Sequence, residues 1–80
     1  MKKSLLQQYK ELVNFKQRSL FETKEIMKNL CKEMRMKRMD KGIKLSFVAK
    51  KLKRSPSLLS QVEYGTVFPD EEMIKFYDKL

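Results

Sequence analysis

Apolar residues in this chain recur at three- and four-residue intervals, and no stretch alternates as a strand does, so the elements predicted are helices. Leu5, Leu6, Tyr9, Leu12 and Val13 share one side of a helix expected over about 5–17, with Gln7, Gln8, Lys10 and Glu11 opposite. Ser4 and Gln7 have capping-box spacing and would open it. Ser19 and Glu22 repeat that spacing; they, or Thr23 just after, open a second helix that ends near Lys41. Its stripe is Ile26 or Met27, then Leu30, Cys31 and Met34, with Gly42 as its stop. Leu6, Val13, Leu20, Met27 and Met34 also recur every seven residues, which hints at one long helix. The positions three further on, Tyr9, Lys16, Thr23 and Leu30, include two polar residues and make a poor coiled-coil seam.

Val48, Ala49 and Leu52 form the inner face of a short helix over 45–52, and Lys53-Arg54-Ser55 makes a turn. Ser55 followed by Pro56 starts another helix, because the hydroxyl can accept a free backbone N–H and proline has none to lose at the first position. Gly65 stops it. Leu59 and Val62 face inward, which leaves Ser57, Leu58, Ser60, Gln61 and Tyr64 on the other faces. Asp70 caps a final helix whose positive first turn holds Glu71 and Glu72. Met73, Ile74, Phe76, Tyr77 and Leu80 supply its apolar residues.

Charge changes the picture more than composition does. The 80 residues carry a net charge of +9 without any histidine, which suits a polyanion or an anionic surface. Lys32, Arg35, Lys37, Arg38, Lys41, Lys44, Lys50, Lys51, Lys53 and Arg54 face only Glu33, Asp40 and Glu63 in the middle of the chain, whereas the last fifteen residues are mildly acidic. A polyanion should meet the middle first. The start lacks the apolar run of a signal peptide and no stretch approaches a membrane span, so a soluble, cytoplasmic protein is expected.

Little here can run a reaction. With no histidine and one cysteine, Cys31 on an apolar stripe is expected to be a small buried side chain rather than a nucleophile or a metal ligand. Asp70-Glu71-Glu72 are consecutive at a helix start and do not converge, so capping accounts for them better than a metal site. No cofactor, no metal and no enzymatic activity are expected. A short helix with an apolar back and a small, hydrogen-bonding front has instead the shape needed to enter a DNA major groove.

Residues 30–80 resemble the helix-turn-helix domains of the XRE family, which includes the Cro- and CI-type phage repressors. The matching residues are Leu30, Met34, Arg38, Gly42 and Ile43, then Val48-Ala49 and Leu52, then Ser55 through Gly65 (S-P-S-L-L-S-Q-V-E-Y-G), then Pro69-Asp70. The resemblance implies an all-α, lambda-repressor-like bundle of about four helices over 26–80. The family's fifth helix would be absent, and residues 1–25 would be an added amphipathic helix covering the surface that the fifth would bury. It implies that Ala49 is a close-contact residue and that the helix from Ser55 enters the groove. Pro56, Ser57, Ser60 and Gln61 fall where the family meets base edges, and a glutamine amide can both give and accept bonds with adenine. Lys44, Leu45, Ser55, Tyr64 and Thr66 fall at places for backbone contacts, and Arg54, replacing a small or apolar turn residue, would reach phosphate. Arg38 and Glu63 match a family pair bridging two helices. Lys53 stands where relatives have glycine; either it carries a left-handed conformation at a cost of about 1 kcal/mol, or the turn differs.

The function expected is a sequence-specific double-stranded DNA-binding regulator, a repressor or autoregulator of a phage, mobile element or bacterium, acting as a homodimer on a palindromic operator. The alternative is an antitoxin- or inhibitor-like protein-binding module. In it Leu5, Leu6, Tyr9, Leu12 and Val13 would dock a protein partner, or form a dimer, and DNA binding would be secondary.

Overall fold

Three polar caps set where helices begin. The computed structural model describes residues 3–14 and 20–80, and among these the regular structure is helical throughout. Ser4 Oγ accepts from Gln7 N–H and opens α1, Leu5–Val13. Ser55 Oγ accepts from Leu58 N–H and opens α4, Pro56–Glu63, with Pro56 in the first turn. Asp70 Oδ1 accepts from Met73 N–H and opens α5, Glu71–Asp78. Between them lie α2, Leu20–Asp40, and α3, Leu45–Leu52. Each cap satisfies a backbone donor that the helix itself leaves unpaired, a contribution of about 1 kcal/mol.

Helix ends are equally specific. After α2, Gly42 N–H bonds to Met39 O and Ile43 N–H to Arg38 O, the pair of bonds that closes a helix through one left-handed residue, here Gly42 at φ +67°. After α4, Gly65 N–H to Val62 O and Thr66 N–H to Gln61 O do the same, with Gly65 at φ +79°. After α3, Lys53 N–H to Lys50 O and Arg54 N–H to Ala49 O repeat the motif, but the left-handed residue is Lys53, at φ +57°. Of the two turns left open by the sequence, this is the left-handed one. A Cβ is held at a site that glycine fills elsewhere in the same molecule.

One core joins all five helices. Leu30 and Met34 of α2, Val48, Ala49 and Leu52 of α3, Leu59 and Val62 of α4, and Met73, Ile74 and Tyr77 of α5 are buried in it together with Leu5 and Leu12 of α1. α1 lies across α2 and α5. It is pinned at its start by Asp78, whose Oδ1 accepts from Leu5 N–H at 3.1 Å, and by Gln8 Nε2 donating to Glu33 Oε2 at 2.7 Å. Lys37 Nζ donates to Asp78 O at 2.6 Å and ties α2 to the same corner.

Of the readings open for the α1 stripe, covering the bundle, docking a partner or forming a dimer, the structure shows the first. Leu5 and Leu12 are buried and Leu6 and Tyr9 are packed against the core, so only Val13 of the five is exposed. The apolar side is consumed within the chain, as the amphipathic pattern permits. The helix is also shorter than expected. Asn14 leaves helical geometry at φ −96° and ψ 73°, so α1 stops at Val13, and no single helix runs through this point. Residues 15–17 of the expected helix and Ser19 of the second capping box lie outside the described residues. Thr23 falls inside α2 rather than at its start.

Candidate nucleic-acid interface

The inner face of α4 carries Leu59 and Val62, both fully buried, and the helix is therefore held with one orientation. Ser57, Gln61 and Tyr64 lie within about 60° of one another around its axis, and Ser60 borders them. Pro56, Ser57 and Gln61 are exposed and Ser60 half-buried, so the face opposite the core is small and mostly polar up to the exposed Tyr64 ring at its end. Gln61 Nε2 lies 3.5 Å from Ser57 Oγ, one turn away, at the limit of a hydrogen bond. The amide is free to turn toward a ligand.

What fixes α4 is a buried ionic lock at its last residue. Arg38 Nε donates to Glu63 Oε2 at 2.7 Å and a terminal guanidinium nitrogen donates to Oε1 at 3.0 Å. Tyr77 Oη donates to the same Oε2 at 2.6 Å, and the other terminal nitrogen of Arg38 donates to Ile43 O at 2.8 Å. The Glu63 side chain is 2% exposed, the Arg38 side chain 15%. The hydrogen bond to Glu63 pushes the Arg38 pKa further up, and burial, with the Glu63 bond, pushes the Tyr77 phenol well above its ordinary range. Three helices meet at one carboxylate: α2 through Arg38, α4 through Glu63 and α5 through Tyr77. Arg38 and Glu63 were paired by the sequence resemblance. The apolar spacing of α5 accounts for the Tyr77 ring but gives no sign of its hydroxyl bond to Glu63.

The start of α3 is built differently from the capped helices. Lys44 takes the capping position with no side-chain bond, so α3 presents first-turn N–H groups and a lysine together. Leu45 beside it is half-buried and packs against the core, leaving its backbone as the part available to a ligand. A groove runs from here between α2 and α4; Arg35, Met39, Leu45, Ser60 and Tyr64 all line it. The Lys44–Leu45 end of α3 and the polar face of α4 thus border a common surface.

One expected backbone contact looks different in the structure. Arg54 is turned onto Asp70, with a terminal nitrogen 2.8 Å from Oδ2, while Oδ1 of the same carboxylate caps α5. The guanidinium thus braces the loop between α4 and α5 and is only one-third exposed, which makes it a poor phosphate ligand. Ser55 Oγ accepts from Leu58 N–H as the α4 cap and keeps its O–H to donate. Tyr64 and Thr66 are exposed, and Tyr64 has the Arg35 guanidinium over its ring at 4.7 Å. Arg35 was not singled out from sequence; a pair 29 residues apart on two helices leaves no local signal.

The other candidate chemistry resolves quietly. Cys31 is buried, and burial pushes its thiol from 9.0 up to about 11, so it is a neutral side chain near pH 7. The acidic triplet is divided, Asp70 between its cap and Arg54, and Glu71 next to Lys75 one turn on. Among the described residues no helix is long and apolar enough to cross a membrane. No protein-family model, curated protein or solved structure matches this chain.

Proposed function

We propose that this chain is a sequence-specific, double-stranded DNA-binding transcriptional regulator of the XRE helix-turn-helix type. It works in the cytoplasm as a homodimer on a palindromic operator, as a repressor or autoregulator of a phage, mobile element or bacterium. The observation that carries this reading is the polar outer face of α4, held in one orientation by the lock at Glu63 and bordered by the uncapped start of α3 and by Arg35. In this account α4 lies in the major groove. Ser57, Ser60 and Gln61 face base edges, and the Gln61 amide is matched to adenine, which offers one donor and one acceptor side by side. Lys44, the free N–H groups of α3, Tyr64 and Thr66 hold phosphates and set register. The net charge of +9 supplies affinity through counterion release, and the α4 side chains supply discrimination.

Selection from randomised duplex DNA, with the mass of the complex measured on the enriched site, tests this directly. Enrichment of a palindrome with half-sites about 10 base pairs apart, bound by two chains, is the expected result. Enrichment of nothing, with binding lost steeply as salt rises, would reduce the activity to bare charge and overturn it. The alternative of a partner-docking N-terminal helix is the weaker of the two, because Leu5 and Leu12, its anchors, are inside the core.

A further inference from the structure

The polar face of α4 does not stop at the end of the helix. Tyr64 continues it, and a second groove starts on the far side of Tyr64. Lys24, Met27 and Lys28 of α2 line it, facing Gly65, Thr66 and Phe68 of the loop after α4. Tyr64 and Phe68 are among the most exposed large apolar residues of the molecule, at 68% and 55%. On α2, Lys24, Lys28 and Arg35 fall within about 40° of one another around the axis and span about 16 Å along it. Cys31, on the same line, is buried, so this strip is the edge along which α2 meets α4 and its loop. None of the three cations has a carboxylate partner within salt-bridge distance among the described residues. Glu22 and Glu25 stand about 80° or more from the centre of the strip. Arg35 is the one cation already held, stacked on Tyr64.

We propose that this strip is a second phosphate-binding element, by which the DNA contact runs off the end of α4 onto the N-terminal half of α2. Lys24, Lys28 and Arg35 grip the backbone of the strand flanking the groove that α4 occupies. The ligand class is the phosphodiester backbone of duplex DNA. The apolar walls beside the cations are Tyr64, Met27 and Phe68, and the length of the strip suits more than one phosphate. Such contacts add affinity and register without sequence preference. The proposal rests on the DNA-binding function above.

The test is a salt titration of binding to the enriched duplex by fluorescence anisotropy, comparing the full chain with Lys24→Ala/Lys28→Ala. Lys10→Ala/Lys32→Ala, which removes the same charge from exposed positions off the strip, is the control. With two chains on the site the variant loses four phosphate contacts, which lowers the slope of log K against log salt by about 3.6. Between about 50 and 200 mM salt the strip variant should then lose about 150-fold less affinity than wild type, starting from weaker binding. Its base preferences should stay unchanged, and the control should keep the wild-type slope. Equal slopes for the strip variant and wild type, with site-specific binding intact, would overturn the strip while leaving the function standing. A control slope lowered as much as the strip variant's would overturn it too, by showing general charge at work. Wild type that ignores duplex DNA would overturn both. Helical circular dichroism equal to wild type in both variants, whose four substituted lysines are exposed, keeps folding out of the comparison.

Discussion

Replacing Arg38 by methionine keeps the length of the side chain and removes its charge, and the lock at Glu63 makes the cost calculable. The Glu63 carboxylate would keep only the Tyr77 hydroxyl as a partner in a site where its side chain is 2% exposed. Stranding one member of a buried pair costs about 3–5 kcal/mol, against a total stability of about 4–12 kcal/mol for 80 residues. Glu63→Leu strands the partner less severely, because Arg38 is 15% exposed and can turn to water. It still leaves the buried Tyr77 hydroxyl without its acceptor, so about 2–3 kcal/mol is expected. The double variant has no unpaired charge left, and its cost should fall short of the sum by at least about 2 kcal/mol. Urea unfolding followed by circular dichroism reads this cleanly. With an m value of about 1 kcal/mol/M for a chain of this size, Arg38→Met should lower the midpoint by about 3 M or more. A cost below about 1 kcal/mol for Arg38→Met, or additivity in the double variant, would refute the lock as what fixes α4.

Further outcomes follow from single sites. Lys53→Gly should raise stability by about 0.5–1 kcal/mol, because relief of the left-handed strain at φ +57° exceeds the extra entropy of an unfolded glycine; a lower melting temperature would contradict this. Leu12→Ala should cost about 2–5 kcal/mol, as for any fully buried leucine, and a melting curve unchanged from wild type would mean that α1 is not part of the core. Alkaline pH should unfold the chain through Cys31 and Tyr77, both of which the fold holds in the neutral, protonated form. Their folded pKa values lie above the unfolded ones, so the stabilisation is complete below pH 9 and lost as pH rises past it, the thiol's share between 9.0 and about 11. Cys31→Ala should flatten the first part of that decline in urea midpoints taken from pH 8 to 11, and an identical decline would remove the thiol from the account.

The parts legible in sequence were those with a local cause. Ser4, Ser55 and Asp70 mark helix starts, and Gly42 and Gly65 mark stops, because each acts on backbone groups within a few residues. The inner stripes of α2 to α5 followed from spacing alone. What could not be read came from partners far apart in the chain. Arg54 was assigned to phosphate from its turn position alone, and Asp70, sixteen residues on, is folded against it. Tyr77 has the spacing of a core aromatic, and its hydroxyl partner Glu63 is fourteen residues away on another helix. The α1 stripe was ambiguous for a different reason: an amphipathic pattern states that a face will be covered, not by what. α5 and α2 cover it here. The end of α1 at Asn14 was missed because periodicity does not mark where a polar residue takes a turn conformation.

In the proposed complex Gln61, on the outer face of α4, reads a base. The most direct measurement repeats the duplex selection with Gln61→Ala beside wild type and compares the two enriched sites position by position. Preference for adenine should disappear at one base pair in each half-site, related by the two-fold axis, while the other positions and the salt dependence stay as they were. An identical enriched site from the variant would contradict it.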